Sequence, residues 1–135
     1  MKIRGRHDFF FEDFSYRMRT AREAKHLSQR KAAKKAGVSN CALSNIEHGA
    51  DHYVFGALLL MELYGMKPIS VDALGDRLKQ LRQDRGMTLD DVARETGLSR
   101  PGIYAIESGN VYPCMSSLVL IANALGADPW TFLEA

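Results

Sequence analysis

Arg22 and Glu47 stand 25 residues apart, and Arg82 and Glu107 repeat that spacing. A guanidinium and a carboxylate can share two parallel N–H···O bonds, so each couple is a candidate bidentate ion pair. Such pairs are scaffold chemistry, not catalysis. A second group, Arg30, Lys31, Lys34 and Lys35, crowds one short segment with positive charge. Catalytic constellations are missing. Of the four histidines (His7, His26, His48 and His52), His48 and His52 straddle Gly49 and are not placed to hold a metal from one helix face. There is no supported Ser/His/Asp arrangement and no Gly-rich phosphate loop after a strand. Cys41 and Cys114 lack metal-type spacing and occupy unmatched positions. No enzymatic activity, metal or cofactor is expected.

The elements that must position these residues occur twice. Arg22, Gly37-Val38-Ser39, Ile46-Glu47 and Gly49 recur as Arg82, Gly97-Leu98-Ser99, Ile106-Glu107 and Gly109, at one offset of 60 residues. Repetition of that length marks a duplicated module. Beyond Gly49 the match continues at an offset of 61, pairing Val54 with Met115, Leu60 with Ile121 and Gly65 with Gly126. A module of about sixty residues is near the lower limit for an independent core, so packing between repeats or dimerisation would help.

Hydrophobic residues make up 46% of the chain and charged residues 25%, as in soluble globular proteins. No apolar run approaches the length of a membrane span or a signal peptide, and a cytoplasmic protein is expected. The net charge of +2 conceals an asymmetry. Residues 1–67 carry twelve Lys and Arg against seven Asp and Glu; residues 68–135 carry six against nine. The basic half suits a polyanionic partner and the acidic half resists one.

Both repeats read as helical. Leu74, Leu78 and Leu81 form one stripe, and Phe14, Met18 and Ala21 form its counterpart. Ser28 and Thr88 are expected to cap the second helices, and Ser39 and Ser99 the third. Gly37 and Gly97 sit where a left-handed residue ends a helix. Asp128 and Pro129 open a final turn, with Trp130, Phe132 and Leu133 as its apolar lid. The resulting boundaries are an N-terminal extension at 1–13, domain one at 14–67, a linker at 68–71 and domain two at 72–135. Phe9, Phe10 and Phe11 in the extension are expected to pack on a repeat or a partner chain.

A short helix, a glycine turn and a serine-capped second helix form a helix-turn-helix. With Ser28-Gln29, Ala33, Leu43-Ser44, Gly86, Ala93, Ile103, Pro113, Leu118, Ala122 and Leu125-Gly126, the chain resembles the Cro and lambda-repressor-like, or xenobiotic-response-element (XRE), family over residues 14–67 and 72–134. The resemblance implies an all-α fold of two tandem five-helix domains and supports the Arg22–Glu47 and Arg82–Glu107 pairings. It also implies a third helix that enters the DNA major groove.

Carried over, the base-reading positions of repeat one are Gln29, Ser39, Asn40, Cys41, Ala42, Ser44 and Asn45. Asn and Gln can bond adenine N6 and N7 together. Ser28, Arg30, Lys31, Lys34, Lys35 and His48 are the candidate phosphate contacts. Repeat two departs from the pattern. Leu89 replaces Gln29, Asp90 and Asp91 replace the basic segment, and only Arg100 and Tyr104 remain as readers. The expected function is a sequence-specific double-stranded DNA-binding transcriptional regulator in the sense of a repressor. It would act as a homodimer or as an intramolecular pseudo-dimer, with no membrane partner. The alternative is a protein-interaction module, with repeat two holding a protein partner, as in an antitoxin, antiactivator or phage-encoded inhibitor.

Overall fold

The computed structural model describes residues 6–135, with side chains from Phe9 onward. His7 and the first five residues of the expected extension therefore lie outside the described side chains. Among the described residues the secondary structure is helical apart from two isolated bridges. Repeat one holds α1 (Arg6–Ala24), α2 (Gln29–Ala36), α3 (Asn40–Glu47) and α4 (Val54–Leu63). Repeat two holds α5 (Leu74–Asp84), α6 (Leu89–Thr96), α7 (Arg100–Glu107) and α8 (Met115–Ala124), then a 3-10 turn, Pro129–Phe132. The fifth element of repeat two is thus that short turn. In repeat one the equivalent stretch is the connection into α5.

Local chemistry sets the helix starts. The side chains of Ser28, Ser39, Thr88 and Ser99 accept hydrogen bonds from the backbone N–H three residues on, satisfying donors that the helix leaves orphaned. At Thr88 the cap is reciprocal, because the carboxylate of Asp91 accepts from the Thr88 N–H. Gly37 and Gly97 close α2 and α6, both at φ 78°, a left-handed conformation that glycine adopts without Cβ strain.

The repeats share one core. Phe14, Met18, Leu43, Ile46 and Leu60 from repeat one and Leu78, Ile103, Met115, Leu118 and Phe132 from repeat two are all fully buried. Helix α5 comes so close to the end of α7 that a Cβ on Gly75 would lie 2.6 Å from the Glu107 carbonyl oxygen. The boundary expected at residue 14 falls inside α1, which starts at Arg6. Phe10 and Phe11 are buried on this helix, whereas Phe9 is exposed. Phe10 and Phe14 pack against Trp130, whose indole N–H donates to Asp13 at 3.2 Å while Arg17 lies over its ring. The lid of repeat two therefore closes over the first helix of repeat one. The expected linker is equally tied down: Ile69 is buried and its N–H donates to the Leu133 carbonyl at 2.7 Å.

His52 sits in this aromatic contact, stacked on Phe14 with ring centroids 5.7 Å apart. Its Nδ1–H donates to the Ala50 carbonyl, and Nε2 is buried without a partner among the described residues. Burial pushes its pKa below the usual 6.5, against the opposing influences of the Ala50 carbonyl and the Asp51 charge. The unfolded chain thus takes up this proton more readily than the folded one. The contribution of His52 to stability is complete above about pH 6.5 and declines as the pH falls below it. Urea unfolding at pH 7.5 and pH 5 is expected to show that decline, and His52→Phe to reduce it. An identical pH slope in the variant would remove His52 as its source.

Candidate nucleic-acid interface

The Arg22–Glu47 pair is the mechanical centre of the first unit. Arg22 Nε donates to one carboxylate oxygen of Glu47 at 2.6 Å and Nη2 to the other at 3.0 Å. Arg22 Nη1 donates to the Leu27 carbonyl at 2.8 Å, just before the Ser28 cap. One guanidinium therefore ties the end of α1 to the start of α2 and to the end of α3. The hydrogen bond to Glu47 raises the Arg22 pKa, outweighing burial. Arg82 repeats the arrangement: 2.7 and 2.9 Å to Glu107, and 2.8 Å to the Met87 carbonyl. Its pKa rises for the same reason. Both glutamates are buried, where an ion pair needs this completeness of bonding to persist.

Gln29 also belongs to the clamp, since its Nε2 donates to Glu47 at 3.1 Å. One amide proton is committed to the scaffold in the free protein; the second N–H and Oε1 are left for another partner. Leu89, at the same place in repeat two, has no amide to offer.

Helix α3 divides cleanly. Leu43 and Ile46 are buried, Asn40, Cys41 and His48 are exposed, and Ala42, Ser44 and Asn45 lie between. Arg30, Lys31, Lys34 and Lys35 stand exposed on α2, which has no acidic residue in its first turn. Ser28 and Ser39 use their oxygens as caps, at 3.1 and 3.0 Å, so each retains a hydroxyl proton to donate. The Nδ1–H of His48 donates to the Ser44 carbonyl at 2.7 Å, which aims Nε2 away from α3. The expected readers and phosphate contacts of repeat one thus lie on two contacting helices and their caps. Cys41 and Cys114 are free thiols, and the described residues include no cluster of three or more metal-ligating side chains.

The matching surface of repeat two is partly neutralised by itself. Arg100 Nε, at the start of α7, lies 3.3 Å from Asp90, at the start of α6, and Arg94 pairs with Asp91 at the same distance. Hydrogen bonding to Thr88 lowers the Asp91 pKa, so this carboxylate stays charged as a cap. Pro101 sits in the first turn of α7, and Tyr104 is exposed. Asp90 and Asp91 occupy the first turn of their helix, where negative charge is favoured.

Two clamped helix pairs in one chain, each helix capped by a serine or threonine, define the class: a tandem helix-turn-helix protein. Residues 18–52 match a helix-turn-helix family model and residues 73–131 match a second model described as a helix-turn-helix domain. Similar proteins include the HTH-type transcriptional regulator DdrOP3 of Deinococcus deserti, 34% identical over 61 residues, covering 45% of this chain and 47% of that protein. The uncharacterized HTH-type transcriptional regulator Mb0023 of Mycobacterium bovis is 33% identical over 64 residues, covering 47% of this chain and 25% of its own length. The matched stretch thus spans less than half of either relative. No solved structure matches the chain. The chain belongs to the XRE-like helix-turn-helix proteins, in a tandem form. No described helix is long and apolar enough to cross a membrane.

Several contacts between the repeats lay outside the reach of the sequence motifs. Asp51 accepts from the Ser116 N–H at 2.9 Å and from its hydroxyl at 2.6 Å, capping α8 from the other repeat. Burial acts to raise the Asp51 pKa, but these bonds and the His52 N–H bring it down overall. Phe55 and Tyr112 pack together with centroids 4.8 Å apart. Both contacts join residues more than fifty positions apart, with no local signal to announce them.

Proposed function

We propose that the chain is a sequence-specific double-stranded DNA-binding transcriptional regulator that represses by occupying its site. Helix α3 enters the major groove, and α2 crosses the backbone beside it. The observation that carries this reading is the polar side of α3, with Asn40 exposed and Ser44 and Asn45 half-buried, beside the four exposed cations of α2. Amides read base edges, whereas lysines hold phosphates without reading sequence. The names of the related regulators support the same assignment.

Replacing Lys34 and Lys35 together by alanine is expected to weaken binding to specific and nonspecific duplexes alike. If each lysine meets one phosphate, the log–log salt slope becomes shallower by roughly 0.9 per lysine. Titration of a labelled duplex at several salt concentrations measures this directly. An unchanged slope removes both lysines from the contact surface. Lys34 and Lys35 are exposed on α2, so the double variant leaves the core untouched.

A second reading, motivated by the Arg100–Asp90 pair and the acidic start of α6, uses repeat two as a surface for a protein partner. That reading requires DNA affinity to survive when Arg100 and Tyr104 are both replaced by alanine.

A further inference from the structure

Tyr53 and Cys114 form an antiparallel bridge, and they are equivalent residues of the two repeats at the 61-residue offset. The flanking bonds obey the same correspondence. The Val54 N–H donates to the Pro113 carbonyl at 3.0 Å, and the Met115 N–H donates to the His52 carbonyl at 2.7 Å. Val54 is equivalent to Met115, and His52 to Pro113. The next pairs outward also exchange: Asp51 with Ser116 on one side, Tyr112 with Phe55 on the other.

An antiparallel bridge carries a local two-fold axis between its strands. Because this one joins equivalent residues at the starts of α4 and α8, its axis carries one helix onto the other. Helix α2 packs on α4, and α6 packs on α8. The same half-turn therefore carries one helix-turn-helix onto the other, and it places α3 and α7 at the same level along a common axis. Symmetric repressor dimers meet pseudo-palindromic duplexes by matching two such axes. Here the axis lies inside one chain. Its two halves are locked by the buried Ile69, by packing of α1 on α8 and by the Trp130–Asp13 bond.

We propose that one chain is the complete DNA-binding unit and that its ligand is a duplex with two unlike half-sites at a fixed spacing. This rests on the DNA-reading function proposed above. Helix α3 takes one half-site through Asn40 and Asn45. Helix α7 takes the other through Arg100, released from Asp90, and Tyr104. The half-sites differ because these side chains differ, and no palindrome satisfies both. Rigid coupling makes the second contact intramolecular, so affinity depends on the distance between half-sites.

The test is selection of the full chain on a random duplex pool, followed by sedimentation of its complex with the selected duplex. Expected are two unlike half-sites and one chain per duplex. Inserting about five base pairs, half a DNA turn, between them should lower affinity on the order of tenfold or more. Arg100→Ala with Tyr104→Ala should relax preference in one half-site only, and Asn40→Ala with Asn45→Ala in the other. A palindrome occupied by two chains, or indifference to the insertion, overturns the single-chain inference and leaves the DNA-reading function standing. Selection of no preferred sequence overturns that function, and the inference with it.

Discussion

Glu47→Ala will cost about 3–5 kcal/mol of folding stability, the typical loss when one partner of a buried ion pair is removed. Glu47 is 4% exposed and accepts from Arg22 twice and from Gln29 once. Its removal leaves the Arg22 guanidinium with the Leu27 carbonyl and a weak, distant approach to Glu23 at 3.9 Å. Arg22→Ala is the mirror case, stranding a buried carboxylate with only the Gln29 amide. Because the unpaired charge rather than the lost attraction dominates, the double variant should be less damaged than the two single losses combined. Urea midpoints for the two single variants and the double variant measure this coupling. Midpoints equal to the parent's would show that the pair is not holding the fold. Glu107→Ala should behave in the same way, since Arg82 makes equivalent bonds with no glutamine in support.

Asn40→Ala with Asn45→Ala is the second large effect, and it falls on recognition. A bidentate amide–adenine contact is worth about 1–3 kcal/mol of discrimination. The double variant is expected to lose most of its preference for the selected duplex over a scrambled one, while its urea midpoint stays close to the parent's. Asn40 is exposed and Asn45 half-buried on α3, and no cap or core contact depends on either amide. Paired titrations with the two duplexes give the ratio. A ratio that does not change would remove these two residues as readers and shift attention to Ser39 and Ser44. The expected contrast with the Lys34 and Lys35 variants is informative, because lysine losses scale with salt and leave the ratio nearly intact.

Much of this is legible without coordinates, and the reason is range. Ser28, Ser39, Thr88 and Ser99 act on an N–H three residues away, so the cap is written in the local sequence. Gly37 and Gly97 end helices by their own conformational freedom. Arg22 and Glu47 are farther apart, yet duplication displays their spacing twice and supplies the control that a single copy lacks. The basic α2 and the amides of α3 are likewise visible as composition at a motif position.

Contacts between repeats are a different matter. Nothing beside Ser116 indicates that Asp51 will cap its helix, nor beside Trp130 that Asp13 will accept its indole proton. Residues 6–13 of the expected extension belong to α1, where Phe10 and Phe11 find apolar cover that depends on where Trp130 and His52 arrive. The salt bridge between Arg100 and Asp90 depends on how α6 and α7 turn.

The sequence by itself determined the modules: helix ends, the Arg–Glu clamps and the divergence between α3 and α7. Each rests on short-range chemistry or on repetition. Tertiary structure alone decided their mutual placement: the docked linker, the shared aromatic core and the two-fold axis at Tyr53 and Cys114. Placement depends on how whole surfaces fit, and a surface is assembled from residues that the chain keeps far apart.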